Sequence, residues 1–178
     1  YNLGIGRKRR SDETAGIGTP LALLMWVIFA VVCFFLMPAY ARMNTSSEEV
    51  ITMVVLYGRI VCVLSIGLFL ESVWTKVHQA EGNMRTPMIA QIIGAIVNIA
   101  LDPLLIFGLC GLPKMGIGGA ATATVVGQIA AALIVMKGGF RKIPALVVFP
   151  HQIKRIYKLG IPNILMQAAY TFYIFGLN

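Results

Sequence analysis

Thr86–Leu109 reads TPMIAQIIGAIVNIALDPLLIFGL, an apolar run with a single charge, Asp102, inside it. An acidic side chain at membrane depth costs roughly 2.5–3.5 kcal/mol on insertion scales, so a chain keeps one there for a reason. Asn98 lies four residues before Asp102, which on a helix stacks the two side chains on one face. Pro103 has no N–H and crowds the carbonyl one turn back, so the Ile99 carbonyl loses its usual donor. Amide oxygen, carboxylate and freed carbonyl then converge at one depth. That is a hard-ligand set, suited to Na+ or a proton rather than to a soft metal. Asn98 alone would read equally well as hydrogen-bond glue between helices. With Asp102 one turn away, and no base at that depth in the neighbouring runs, the ion-site reading leads.

The rest of the chain fits a membrane setting. Hydrophobic residues make up 58% of it and charged ones 12%, against about 25% charged in a typical soluble domain. Runs of about 18–20 apolar residues are long enough to cross the hydrocarbon core as helices. Five are expected to do so: Thr19–Tyr40, Val50–Trp74, Thr86–Leu109, Gly116–Met136 and Leu159–Leu177. The expected fold class is therefore all-α, a polytopic transmembrane helical bundle.

The +8 net charge is arranged by side. With the N-terminal stretch inside, twelve of the fifteen Lys and Arg fall on the cytoplasmic side: Arg7, Lys8, Arg9, Arg10, Lys76, Arg85, Lys137, Arg141, Lys142, Lys154, Arg155 and Lys158. This is the positive-inside pattern, and it replaces nucleic-acid binding as the reading of the Arg7–Arg10 cluster. Residues 1–16, 76–86 and 137–158 are expected to be cytoplasmic, in a multi-pass protein of the plasma or inner membrane. Cys33, Cys62 and Cys110 are odd in number and sit in or at the ends of apolar runs, as packing residues rather than a disulfide set. A first residue of Tyr1 and a last residue, Asn178, inside an apolar run give the expectation of a segment from a longer chain.

Local signals place the helix ends. Ser11-Asp12-Glu13-Thr14 can start the first helix, whose spanning part runs from Pro20 to near Pro38. Ser46 or Ser47 with Glu48 and Glu49 makes an N-terminus for the second, which is expected to run to about Ala80 and stop at the Glu81-Gly82-Asn83 turn. Pro87 suits the first turn of the third. Gly119, Ala123, Gly127 and Ala131 form a small-residue stripe that admits another helix closely, with Thr122, Thr124 and Gln128 on adjoining faces. Ile143–Phe149 is too short to span and reads as interfacial or linker. The last helix is expected from near Gln152, with Pro162 marking a kink or a transition into the membrane.

Three blocks then carry a resemblance. Ala80-Glu81-Gly82-Asn83-Met84-Arg85-Thr86-Pro87, Asn98-x-x-x-Asp102-Pro103 and Gly116-Ile117-x-Gly119-Ala120-Ala121-x-Ala123-Thr124, in that order and spacing, resemble the MATE family of multidrug and toxic compound extrusion transporters. The resemblance implies twelve helices in two lobes. Residues 1–137 would be the end of helix two through helix six of the N-terminal lobe, 138–150 the interlobe loop, and 151–178 the first helix of the second lobe. It implies an antiporter, monomeric when full-length, exporting small organic, often cationic, compounds against Na+ or H+ as coupling ion, with no cofactor. It also implies an N-lobe cation site of Asn98, Asp102 and Thr124 with an Asp of helix one. No counterpart of that Asp lies in these residues, so this stretch alone is not expected to transport.

Thr124 without the resemblance would read as a hydroxyl bonded back to the carbonyl four residues earlier. Gln91 and Gln128 can line the same polar seam, though packing is the plainer reading for each. Arg59 lies well inside its run and either snorkels or pairs with an acid elsewhere. Glu71, near the inner end, is expected to reach water, and Met25 or Trp26 can face a substrate cavity. A lipid-linked oligosaccharide or polysaccharide flippase, or a non-transporting structural membrane subunit, are the rival readings. An intramembrane enzyme would need clustered catalytic groups at depth, and Asp102 is the only Asp in an apolar run, with His78 and His151 at the inner edges.

Overall fold

The basic stretch ahead of Pro20 is already helical in the computed structural model, which describes residue 6 and residues 8–111, 113–144 and 149–177. Helix α1 covers Lys8–Asn44, starting before Ser11 and running on past Pro38. The polar residues expected to cap a later start bond within the helix instead. Arg9 Nε lies 3.2 Å from Glu13 Oε1, and the Thr14 hydroxyl donates to the Arg10 carbonyl at 2.8 Å.

Helix α2, Glu48–Val63, follows an extended Ser47 and opens on Glu48 and Glu49, as expected, although the Ser47 side chain makes no cap bond. The expected single helix to Ala80 is in fact two. Helix α3, Ile66–Ala80, meets α2 at 44° across Leu64–Ser65. A break at membrane depth strands carbonyls, and side chains recover them. Ser65 Oγ donates to the Cys62 carbonyl at 2.7 Å, and Trp26 Nε1 donates to the Val63 carbonyl at 3.1 Å. The chain then turns at Gly82, whose φ of +80° suits glycine, into helix α4, Arg85–Phe107.

Helix α4 is continuous through Pro103 and ends on a left-handed Gly108. Helix α5 covers Ile117–Gly139, and helix α6 covers Phe149–Leu177, starting ahead of Gln152 and passing through Pro162. Part of the expected interfacial segment, residues 145–148, lies outside the described residues. Among the described residues three helices, α1, α4 and α5, are long and apolar enough to cross a membrane, and the bent α2–α3 pair passes the same test of length and composition when taken together. The fifth expected span, α6, is not among them. Pro162, Asn163 and Gln167 dilute its apolar half. The protein is a multi-pass helical membrane protein.

Helix α5 is the element on which α3 and α4 pack, and its small-residue stripe is the reason. A Cβ added at Gly119 would meet the Leu105 carbonyl oxygen at 2.5 Å, and one at Gly127 would meet that of Gly94 at 2.7 Å. From α3, Gly67 also approaches the backbone of Gln128 and Ile129, with a Cβ 2.9 Å from the Ile129 nitrogen. Between lipid-facing helices such backbone contact supplies packing that the hydrophobic effect does not. One end of the bundle is filled by Trp74, Ala90, Ala131, Ala132 and Val135. Trp74 there donates to the Thr19 hydroxyl at 3.1 Å and meets Phe140 edge-on.

At that end three segments expected on one side of the membrane meet. Arg141, just past α5, donates to Asp12 of α1 at 3.1 Å, to Glu81 of the α3–α4 turn and to the Gly138 carbonyl. The bond to Glu81 holds the guanidinium above its ordinary range against the opposing effect of burial. His78, 4% exposed, bonds the Val135 carbonyl at 3.0 Å and so ties α3 to α5 there.

Candidate functional site

The antiparallel crossing of α4 on α5 decides which of the expected site residues meet. Gly94 and Gly127 abut, so the next turn of α4 toward Phe107 faces the next turn of α5 toward Ile117. Asn98 and Thr124 occupy those turns, and Asn98 Nδ2 donates to Thr124 Oγ1 at 3.4 Å. Thr124 also bonds back to the Ala120 carbonyl at 3.0 Å, the bond expected of that hydroxyl without the resemblance. The back-bond aims its oxygen and the amide shares it.

Asp102 sits one turn further along α4, half-buried, and among the described residues it takes no hydrogen bond or ion pair. Pro103 lies within the continuous helix, so the Ile99 carbonyl has no N–H to bond one turn on. The Ile99 side chain is 68% exposed and faces away from the bundle. The described residues thus bring Asn98 and Thr124 into contact, with Asp102 adjacent on the same helix and unpaired. Chemically this is an oxygen-rich wall, of the donor type that suits hard cations.

Asn98 and Thr124 also face a cleft of about 230 Å³, bordered by α3, α4 and α5 and open on one side. Asn98, Thr124, Gln91, Gln128 and Glu71 line it, and Asp102 does not. Glu71, expected near the inner end of its helix to reach water, is buried instead. It is 5% exposed and accepts hydrogen bonds from Gln91 Nε2 at 2.8 Å and from Thr75 Oγ1 at 3.0 Å. A signal for this was present. Gly67, Glu71, Trp74 and His78 are the buried residues of α3 and fall on one helical stripe, and Gly67 marks that stripe as the face against α5.

Arg59 finds no acid among the described residues. Its guanidinium lies 4.4 Å from the centre of the Phe34 ring, and its buried Nε has no hydrogen-bond partner among the described residues. Trp26 is committed to the α2–α3 break, and Cys33, Cys62 and Cys110 are free thiols. Among the described residues no group of three or more His, Cys, Asp or Glu side chains converges to hold a metal ion.

Residues 1–104 match the family model MatE. A Bacillus subtilis protein named "Probable multidrug resistance protein YoeA" is 35% identical over 133 residues, which are 74% of this chain and 29% of that relative. A "FAD transporter" of Shewanella oneidensis is 42% identical over 53 residues, 30% of this chain and 12% of that relative. The crystal structure of MATE in the bent conformation superposes with a TM-score of 0.86 at 23% identity, covering 99% of this chain and 40% of that one. The chain thus spans about three-tenths of the length of the first of these relatives.

Proposed function

This chain belongs to the MatE family, and on that premise we propose that it forms part of the N-terminal lobe of an antiporter that exports small organic, often cationic, compounds in exchange for Na+ or H+. Residues 1–137 supply the later part of that lobe, from the end of helix two through helix six, 138–150 the connection and 151–178 the opening of the second lobe. The coupling ion is taken by Asp102, Asn98 and Thr124, completed by an acidic residue of another helix. The Asn98–Thr124 contact at 3.4 Å, with an unpaired carboxyl one turn away, is the observation that carries this reading.

The mechanism follows from charge. Apolar surroundings disfavour a bare carboxylate, so binding of a proton or Na+ at Asp102 is coupled to how α4 packs on α5. An ion that prefers one packing shifts the lobe toward it, and any effect of the ion on substrate affinity has an equal effect in return. The test is efflux by the full-length protein carrying Asp102→Asn, assayed with organic cations and, given the relative named an FAD transporter, with an anionic dinucleotide. Loss of ion-dependent efflux is expected. Undiminished coupled transport by that variant would overturn the assignment.

A further inference from the structure

The cavity reaches further than the wall just described. Gln91 lies seven residues before Asn98 and eleven before Asp102, about 10 and 16 Å along α4 at ~1.5 Å per residue. The inner end of the cavity is therefore a separate place from Asp102, and it holds its own acid, Glu71.

The hydrogen bonds to Glu71 leave an imbalance there. Both donors, Gln91 and Thr75, are neutral, and both go to Oε1. No Lys, Arg or His pairs with the carboxyl group among the described residues, and Oε2 takes no protein donor. Gln128, across the cavity on α5, places an amide oxygen there that is buried and has no hydrogen-bond partner among the described residues. Glu71 is the only titratable side chain among the described residues lining the cavity. A buried acid without a counter-charge and a buried acceptor without a donor have the same remedy, a small cation between them.

We infer that the inner end of this cavity is a second cation station, in which Glu71 takes a proton or Na+ with Gln128 supplying a further oxygen. Its ligands are oxygens alone, which suits either ion, and neutral Gln91 and Thr75 hold the carboxyl group in place without competing for its charge. The station rests on the proposed antiport only for its physiological role. Binding itself does not depend on Asp102.

The test uses the purified full-length protein with radiolabelled Na+ as one probe and proton uptake on acidification, followed with a pH-sensitive dye, as the other. Glu71→Gln keeps an oxygen for both existing hydrogen bonds and removes the charge. If the station holds Na+, that variant binds one ion fewer per transporter. If it holds a proton, Na+ binding is unchanged and one proton fewer is taken up. A variant matching the native protein in both readouts overturns the inference. Gln128→Leu, which removes only the oxygen, is expected to weaken the same component roughly tenfold or more, in the range seen for ligand-supporting groups. It carries the test should the Glu71 variant fail to assemble, and unchanged affinity in it then counts against the station. Asp102→Asn is the separating control. It should retain the Glu71 component, so failure of the Asp102 assignment and failure of this one give different results.

Discussion

Replacing Gly127 by alanine sets two known effects against each other at the helix crossing. In an ordinary helix the change gains about 1 kcal/mol of propensity. Here the new Cβ would lie 2.7 Å from the Gly94 carbonyl oxygen and 3.2 Å from the Asn98 Cβ. Overpacking typically costs about 1–3 kcal/mol, and the upper end applies when the obstructing atom is backbone that cannot rotate aside. About 3 kcal/mol lost against about 1 gained leaves a net destabilisation of ~2 kcal/mol. Gly118→Ala is the matched control, because its Cβ would meet only Ile60 Cδ1 and Leu56 Cδ2, each at 3.9 Å. Unfolding of the full-length protein in detergent, followed by tryptophan fluorescence, should rank the control at or above the native protein and Gly127→Ala below both. The same displacement acts on Asn98 directly, so ion affinity should fall along with stability. Gly127→Ala as stable as the native protein, with Gly118→Ala the weaker of the two, would refute the claim that backbone contact sets the α4–α5 distance.

Arg141→Gln should lower stability by about 1 kcal/mol, the range of a partly exposed ion network, and should make unfolding less sensitive to salt. The raised guanidinium implies that this contribution is complete below the ordinary arginine range and lost only above it, so a titration of stability through neutral pH should show no step from Arg141 itself. Phe34→Leu removes the ring under Arg59 while keeping apolar bulk, and a loss of about 0.5–2 kcal/mol in the same unfolding assay is expected. Trp26→Phe strands the Val63 carbonyl at the α2–α3 break and should cost about 1 kcal/mol, with no measurable loss placing the hydrogen bond outside the stability balance.

Much of this architecture is legible in the letters, for identifiable reasons. The Thr86–Leu109 apolar run, the Glu81-Gly82-Asn83 turn before it and the small-residue stripe of α5 follow from local chemistry, because apolar length, a Cβ-free residue after a helix and four-residue spacing each act within a turn or two. The stop at Gly108, inside the apolar run, comes from the structure. The pairing of Asn98 with Thr124 came from the resemblance, since nothing local says which turn of α5 faces which turn of α4. That register is fixed by Gly94 against Gly127, two residues far apart in sequence. The bend at Leu64–Ser65 was not legible for a similar reason. No proline marks it, and the hydrogen bond from Trp26 that recovers a stranded carbonyl comes from another helix, 37 residues away.

Glu71 shows how such a bend changes the chemistry. Counted along one straight helix, it lies near the inner end and should meet water. With the helix broken at Leu64–Ser65, α3 is free to lie against α5 along its Gly67 stripe, and Glu71 is carried with that stripe into the protein. On α4 the residues at 91, 98 and 102 repeat at spacings of seven and four, one face of a helix within about 40° at ~100° per residue. That face meets Glu71 at its inner end and Thr124 further out. The polar groups of three helices therefore form a line along the membrane axis rather than a single cluster. A lobe that bound one ion at Asp102 alone would have no use for the inner part of that line, where a neutral leucine in place of Glu71 would bury at no electrostatic cost. The retention of an acid there is what the ion-counting experiment on Glu71→Gln addresses.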